Sequence, residues 1–186
     1  GIHATKELHK PEEWKKQEPS ELKKWSEELR GDRRLVLFDH FGSMDDDDVI
    51  NRIRYMAKGC DCKWVFVDHL SLIISGRDDG NERKAIDILM TKLRSLCHES
   101  KIGMLLACHL RRLDNDKGHE EGKQVSLSHL RGSHSIAQLS DAVIGMERNQ
   151  QDDDEIAKNT STIRVLKNRY AGTTGVGSYL LYSTEN

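Results

Sequence analysis

The chain has 186 residues, enough for one domain with a single sizeable core. Charged residues make up 32% and apolar ones 36%, a soluble globular balance, and the net charge of −2 excludes a uniformly basic nucleic-acid binder, so any such contact has to come from a local basic patch. No apolar run is long enough for a transmembrane helix and Gly1-Ile2-His3-Ala4-Thr5 lacks a signal-peptide layout, so a membrane is not among the expected partners.

Residues 1–34 are highly charged and punctuated by Pro11 and Pro19. Leu22, Trp25 and Leu29 at helical spacing predict an amphipathic helix over Glu21–Arg30, capped by Pro19-Ser20 and ended by Gly31. Leu35 to Asp39 reads as a short buried strand, broken by Gly42-Ser43. Asp45 to Asp48 open a helix with apolar positions Val49, Ile50, Ile53, Tyr55 and Met56. Four acids in a row suit the positive end of a helix dipole better than a metal cluster. Gly59 ends that helix. Trp64-Val65-Phe66-Val67 then reads as a strand buried on both faces, as in a parallel sheet, and completes a right-handed strand–helix–strand unit with residues 35–39.

Asp68 follows at the C-terminal edge of that strand, where ligands of open α/β sheets bind. An acid there holds the magnesium of a nucleoside triphosphate, directly or through water; the plainer alternative is a carboxylate capping the next turn. Ser71 to Ile74 continue apolar and Gly76 to Gly80 form a polar loop. Glu82 to Ser100 is the strongest helix, with Ile86, Leu89, Leu93 and Leu96 in one stripe. Gly103 to Cys108 predicts another buried strand, ending in His109. A long polar loop, Arg111 to Ser128, carries Arg111, Arg112, Lys117 and Lys123; loops of this length in compact domains are commonly functional. Leu130-Arg131-Gly132-Ser133 leads into a helix with Ile136 and Leu139. Strands follow at Asp141–Met146, Thr162–Lys167 and Ser178–Tyr182, with an acidic hairpin tip at Asp152–Glu155 and a turn at Gly172–Gly175. Strands alternating with helices, then a strand-rich end, predict an α/β fold with a mixed sheet. Cys60-Asp61-Cys62 is too tight for the usual zinc pair, so Cys60, Cys62, Cys97 and Cys108 read as reduced thiols.

Val67-Asp68-His69, His109, Leu130-Arg131-Gly132-Ser133, Gln138-Leu139-Ser140-Asp141, Glu147-Arg148-Asn149-Gln150-Gln151 and Lys167-Asn168-Arg169-Tyr170 fall in one order. That order resembles the RecA-like motor domain of DnaB-type ring helicases, in the branch of podophage primase–helicases and mitochondrial Twinkle, over roughly residues 35–182. The resemblance implies a RecA-like P-loop NTPase core, mainly parallel, with antiparallel strands at the C-terminal end. Residues 1–34 would be a charged segment of the same motor and 35–186 its core. Asp68 matches the Walker B acid, which orders Mg2+ on ATP or dTTP. His109 matches the residue that senses the γ-phosphate, since an imidazole N–H can bond a phosphate oxygen and report its loss. Lys167 and Arg169 match the Lys-x-Arg pair that reaches into a neighbouring subunit's site, with Arg169 as arginine finger. Arg148 and Tyr182 match residues that sandwich the base, and Gln138 matches a coupling residue between nucleotide and DNA.

The resemblance also places Arg131, Gly132 and Ser133 in one DNA-facing loop. Arg111, Arg112 and Lys117 fall in a second, where they would contact single-stranded phosphates without reading sequence. No aromatic residue interleaves them, so base stacking is not the expected mechanism there. The implied parent is a hexameric 5′→3′ replicative helicase working on single-stranded DNA with replisome proteins, in the cytoplasm of a bacterial or phage-infected cell or in an organelle matrix. Two departures stand out. No Gly-x-x-x-x-Gly-Lys-Ser/Thr loop occurs in the chain, and Ala137 stands where close relatives carry a basic residue. The family's phosphate loop and catalytic glutamate lie upstream of the matched region. The expectation is therefore the C-terminal two-thirds of a motor domain, inactive by itself. The alternatives are a catalytically inactive RecA-like DNA-binding or assembly module, and a recombinase- or clock-type ATPase of the same fold.

Overall fold

The computed structural model describes residues 20, 23–24, 27, 35–38, 45–74, 82–112, 118–131 and 134–182. Helix α1 (Asp46–Lys58) starts where Asp45, extended and outside the helix, accepts a hydrogen bond on its side chain from Asp47 N. Gly59 closes it, donating to Tyr55 O. Val49, Ile50, Ile53 and Ala57 share its buried face. Tyr55, expected among them, is 66% exposed, because position 55 lies off the stripe set by 49, 53 and 57.

Strand β1 (Trp64–Val67) is followed by the short helix α2 (Leu70–Ile74) and the long helix α3 (Glu82–Ser100). The chain then returns as strand β2 (Gly103–Leu106), parallel to β1 and in register from Trp64↔Gly103 to Val67↔Leu106. Ile86, Leu89, Leu93 and Leu96 run down the inner stripe of α3 as the spacing predicted, with Leu89 fully buried. They pack against α1, α2, Val65 and Ile102 in one apolar core.

Two expectations fail in this half. Residues 35–38 belong to no strand, and Leu37 is 75% exposed. An apolar run permits a strand but does not supply its pairing partner; β1 is hydrogen-bonded in parallel to β2, so the parallel unit is β1–α2–α3–β2. Nor is β1 buried on both faces. Val65 is covered by the helices, whereas Trp64, Phe66 and the facing Leu105 of β2 remain open on the other side. The Trp64 indole lies flat over Gly103, where a Cβ would overlap it at 2.3 Å.

A 3-10 turn at Leu127–His129 and helix α4 (His134–Leu139) lead into the second sheet. Strands β3 (Ala142–Arg148), β4 (Thr160–Asn168) and β5 (Gly175–Leu181) pair antiparallel in chain order. The register shifts between Val143 and Ile144 and again between Ile163 and Arg164. The acidic tip expected at Asp152–Glu155 is part of a helix start: Asp154 caps helix α5 (Glu155–Lys158) by accepting from Ile156 N at 2.9 Å. The whole is α/β with a short parallel sheet and a C-terminal antiparallel one. Ser20, Lys23, Lys24 and Glu27 are helical; Leu22, Trp25 and Leu29 of the expected N-terminal helix lie outside the described residues. No described helix is long and apolar enough to cross a membrane.

Candidate functional site

The site begins at the C-terminal ends of β1 and β2. Parallel pairing continues past both strands, with Ala107 N donating to Val67 O at 2.9 Å and Leu70 N to Ala107 O at 3.0 Å. This carries Asp68 and His109 out side by side, both exposed. His69, next to Asp68 in the chain, meets the ring of His109 edge-on with centroids 4.1 Å apart. Its Nδ1 is buried with no hydrogen-bond partner among the described residues. Two residues before Asp68, Phe66 lies on the open face of the sheet.

Beyond His109 the chain pairs briefly with the segment before α4. Arg131 N donates to His109 O at 3.0 Å and Arg111 N to His129 O at 2.9 Å, flanking a bridge between Leu110 and Leu130. Sequence reasoning put His109, Arg111 and Arg131 in three separate motifs; the structure joins them through the backbone. Arg111, Arg112 and Arg131 are all exposed, and Arg131 Nε lies 3.3 Å from Glu82 Oε1 at the start of α3. Lys117, Gly132 and Ser133 lie outside the described residues.

The second leg of the long polar loop is held to the end of β3. Glu121 bridges to Asn149, Gln150 N donates to Glu120 O at 2.8 Å, and Val125 N donates to Glu147 Oε1 at 2.8 Å. Gly122 has φ +76°, and a Cβ there would strike Asn149 at 2.8 Å, so a side chain is excluded twice over. Glu147 also takes a bidentate pair from Arg164, at 2.6 and 2.9 Å. Burial pushes the Glu147 carboxyl up, but the bonds from Arg164 and Val125 N outweigh it and leave it below the ordinary carboxylate value. On the same loop His119 and His129 face one another with centroids 5.2 Å apart. Burial, then the nearby His119, Lys123 and Arg111, hold His129 below its usual value, as expected in a locally positive patch.

A second cluster forms at the C-terminal end of α4. Lys167 Nζ donates to Ala137 O at 2.6 Å, Ser140 O at 2.9 Å and Gln138 O at 3.3 Å. Arg169 Nη2 donates to Gln138 O at 2.9 Å, and its Nη1 lies 3.2 Å from Asp141 Oδ1. Lys167 and Arg169 thus cap the last carbonyls of a helix, where positive charge is favoured. Gln138 enters this cluster through its carbonyl; its exposed side chain is on the rim of an open concavity of about 440 Å³ that Lys167 and His134 also line.

A third grouping surrounds Asn159, which sequence reasoning missed. Arg148 donates from Nε to Lys158 O at 2.7 Å and from Nη2 to Asn159 Oδ1 at 3.1 Å, which fixes the plane of its guanidinium. Tyr182 N donates to Asn159 O at 2.9 Å. The predicted base-stacking pair is therefore brought to one residue. His69, Glu82, Arg94 and Asp141 are further members of the site that sequence reasoning gave no role. Only their spacing to the named motifs could have flagged them.

For magnesium, the donor set offered here is the single exposed carboxylate of Asp68, and no group of three His, Cys, Asp or Glu converges among the described residues. That fits an ion which keeps most of its waters and draws its other ligands from phosphate, and does not fit a cage built by protein alone. All four cysteines are free thiols, and burial pushes Cys108 up to about 11.

With this geometry in place, comparison with known proteins is specific. The DnaB-like helicase C terminal domain family matches residues 4–184, which takes in most of the charged N-terminal segment. A DNA helicase/primase of Enterobacteria phage T3 is 37% identical over 187 residues, covering 100% of this chain and 32% of the phage protein. A probable plasmid replicative DNA helicase of Chlamydia psittaci is 30% identical over 128 residues, covering 69% of this chain and 27% of that protein. The chain therefore spans about a third of these relatives' length or less. A solved DnaB-like replicative helicase, determined together with its interactions with primase, superposes with a TM-score of 0.64 over 78% of this chain and 35% of its own. At 19% identity that likeness is one of fold.

Proposed function

The chain belongs to the DnaB-like helicase C-terminal domain family, and on that footing we propose that it is the part of a replicative DNA helicase motor that couples NTP hydrolysis between ring subunits to movement along single-stranded DNA. The observation that carries this reading is the chain of contacts from Asp68 through His69 and His109 to Arg131. It links the residue bearing a strand-end carboxylate to an exposed arginine through one ring contact, His69 to His109, and one backbone hydrogen bond, Arg131 N to His109 O.

In this mechanism Asp68 would hold Mg2+ through water, and the ion would screen the triphosphate's charge. His109 donates a hydrogen bond to the terminal phosphate and loses it when that phosphate leaves. Because its carbonyl accepts from Arg131 N, its displacement is passed to the DNA-facing segment. Arg111, Arg112, Lys117 and Arg131 grip backbone phosphates, with Gly132 and Ser133 allowing close approach. Arg169 acts in trans on charge developing at the γ-phosphoryl group, a role worth ~10³–10⁵ in rate where such fingers have been measured. Lys167 supports it. Arg148 and Tyr182 stack on the base of ATP or dTTP. The phosphate cradle, which these 186 residues do not contain, would be supplied by polypeptide outside them, and the ring would be a hexamer moving 5′→3′.

The experiment is binding of single-stranded oligothymidylate by this chain over a salt series, with hydrolysis of ATP and dTTP measured in parallel. The reading expects salt-sensitive DNA binding that weakens in Arg111→Ala and Arg131→Ala. It expects no hydrolysis by this chain alone, and restored hydrolysis once the polypeptide bearing a phosphate loop is present, abolished by Asp68→Asn. DNA binding that ignores both arginines would sink it. The second reading is an inactive RecA-like DNA-binding module. It predicts DNA binding with no hydrolysis in any context.

A further inference from the structure

The residues assigned to reach a neighbour are already occupied at home. The β3–β4 ladder runs one step past Ala142↔Asn168, where Arg169 N donates to Asp141 O at 2.8 Å. Backbone pairing thus sets Asp141 and Arg169 opposite one another, and their side chains meet at 3.2 Å. The other guanidinium nitrogen of Arg169 is taken by Gln138 O. Lys167 is spread over three carbonyls of the same helix end. We propose that Asp141 is a positioning residue that latches Arg169 onto the C-terminal end of α4 in its own chain, so that the arginine reaches a triphosphate only by exchanging Asp141 for it. This deepens the helicase reading and rests on it for the identity of the anion.

Three features suit a latch better than a fixed structural pair. First, the pair is open to water: the side chains of Arg169 and Asp141 are 46% and 28% exposed. An ion pair this exposed is a weak hold, and a triphosphate carries enough charge to displace a single carboxylate from it. Second, Asp141 has a second partner. Arg94 of α3 donates to Asp141 Oδ2 at 2.5 Å from the far side. When Arg169 leaves, the carboxylate keeps one guanidinium and is not stranded without a counter-charge, so release does not incur the penalty of an unpaired charge. Third, the cradle is mechanically placed. α4 begins shortly after Arg131, whose backbone is tied to His109, so any shift of α4 moves the carbonyls and the carboxylate that hold Arg169. The charged groups facing Asp141 from the packed elements are Arg94 of α3 and Lys167 and Arg169 of β4 and its end. Together they keep its carboxyl below the ordinary value, Arg94 foremost.

The latch is tested on the chain as it stands, with inorganic triphosphate as probe. Asp141→Asn removes the competitor for Arg169, and the affinity for triphosphate should rise about two- to fivefold, the scale of a half-exposed ion pair. The gain should vanish in Asp141→Asn combined with Arg169→Ala. Asp153→Asn, which removes an acid of the same charge from an exposed turn, should give no gain. A purely structural role for Asp141 predicts no gain, and a gain that persists in the double variant or appears equally in Asp153→Asn would overturn the proposal. A second measurement needs no variant. In the unmodified chain, nitrogen-15 spectra of the arginine side chains should show slow rotation of the Arg169 guanidinium, because both terminal nitrogens are held. Fast rotation in the folded chain would also overturn it. Loss of the helicase reading is recorded separately: a chain that shows the Arg169-dependent gain but binds no single-stranded DNA keeps the latch and loses the motor.

Discussion

The two sheets of this chain are held together by different forces. The parallel half, β1 and β2 with α1, α2 and α3, contains nearly all of the buried apolar side chains, and Ile136 of α4 adds to that core. The antiparallel half contributes none to it; Ile144, Met146, Tyr179, Leu180 and Leu181 are all more than half exposed. Its order comes from the β-ladders and from polar clamps: Glu147 with Arg164 and Val125 N, Lys167 and Arg169 on α4, and Arg148 on Asn159. The half that places Asp68 and His109 is packed to stay still. The half that carries Lys167 and Arg169 is fastened by contacts that can be exchanged without opening a core.

This contrast can be broken most directly by cavity formation. Leu89→Ala, at a fully buried position of α3, should cost about 2–5 kcal/mol, whereas Ile144→Ala on the open face of β3 should stay within about 0.5 kcal/mol. Urea unfolding of the two variants measures both. Comparable losses would mean that the antiparallel sheet has an apolar core of its own.

Next in size is the Glu147 clamp. Glu147→Gln keeps the shape but removes the charge that gathers Arg164 and the Val125 amide. The melting temperature should fall by about 5 °C, and amide exchange at Val125 should accelerate while that of α3 is unchanged. Uniform acceleration across both halves would show that the clamps and the core unfold as one unit.

A smaller effect sharpens the comparison through pH. The carboxyls of Glu147 and Asp141 lie below their ordinary values of 4.5 and 3.8 in the folded chain. A lowered carboxyl contributes stability that is fully present above its unfolded value and is lost as pH falls through the folded one. On acidification from about pH 5, protection in β3 and β4 should therefore decline before protection in α3, whose buried stripe is apolar and whose own lowered carboxyl, Glu99, sits in an exposed pair with Lys58 that holds little stability. Asp141→Asn should flatten part of that slope. Amide exchange recorded from pH 5 to pH 3 reads the order.

The same division governs what could be read from the sequence. The α3 helix and its stripe, the acidic start of α1 and the β1 and β2 strands follow from local pattern and were legible, because burial against one core imposes a period and a helix dipole favours acids at its start. The β3 and β4 strands were legible to within a few residues. Leu35–Phe38 shows the limit: an apolar run permits a strand but does not say whether it will find a partner. Trp64 and Phe66 show another, since composition cannot tell which face of a strand a helix will cover. Asp141, Arg94 and Asn159 were illegible for a third reason. Their roles lie in partners 28, 47 and 11 residues away in sequence, set by register and helix packing and by no local signature.

The smallest expected change in stability belongs to the residue on which the chemistry is proposed to turn. Asp68 is exposed at the end of β1, and among the described residues its carboxylate has no ion-pair or hydrogen-bond partner. Asp68→Asn should therefore leave the unfolding free energy within about 0.5 kcal/mol of the unmodified chain, in contrast with Leu89→Ala in the same half. A carboxylate kept solvated and unpaired at the edge of the most tightly packed sheet contributes nothing to holding that sheet. Its environment suits a group waiting for a ligand from outside the chain. Should Asp68→Asn destabilise the fold by several kcal/mol, the carboxylate is a structural cap for the turn into α2, and the case for a metal-ordering acid at this strand end falls with it.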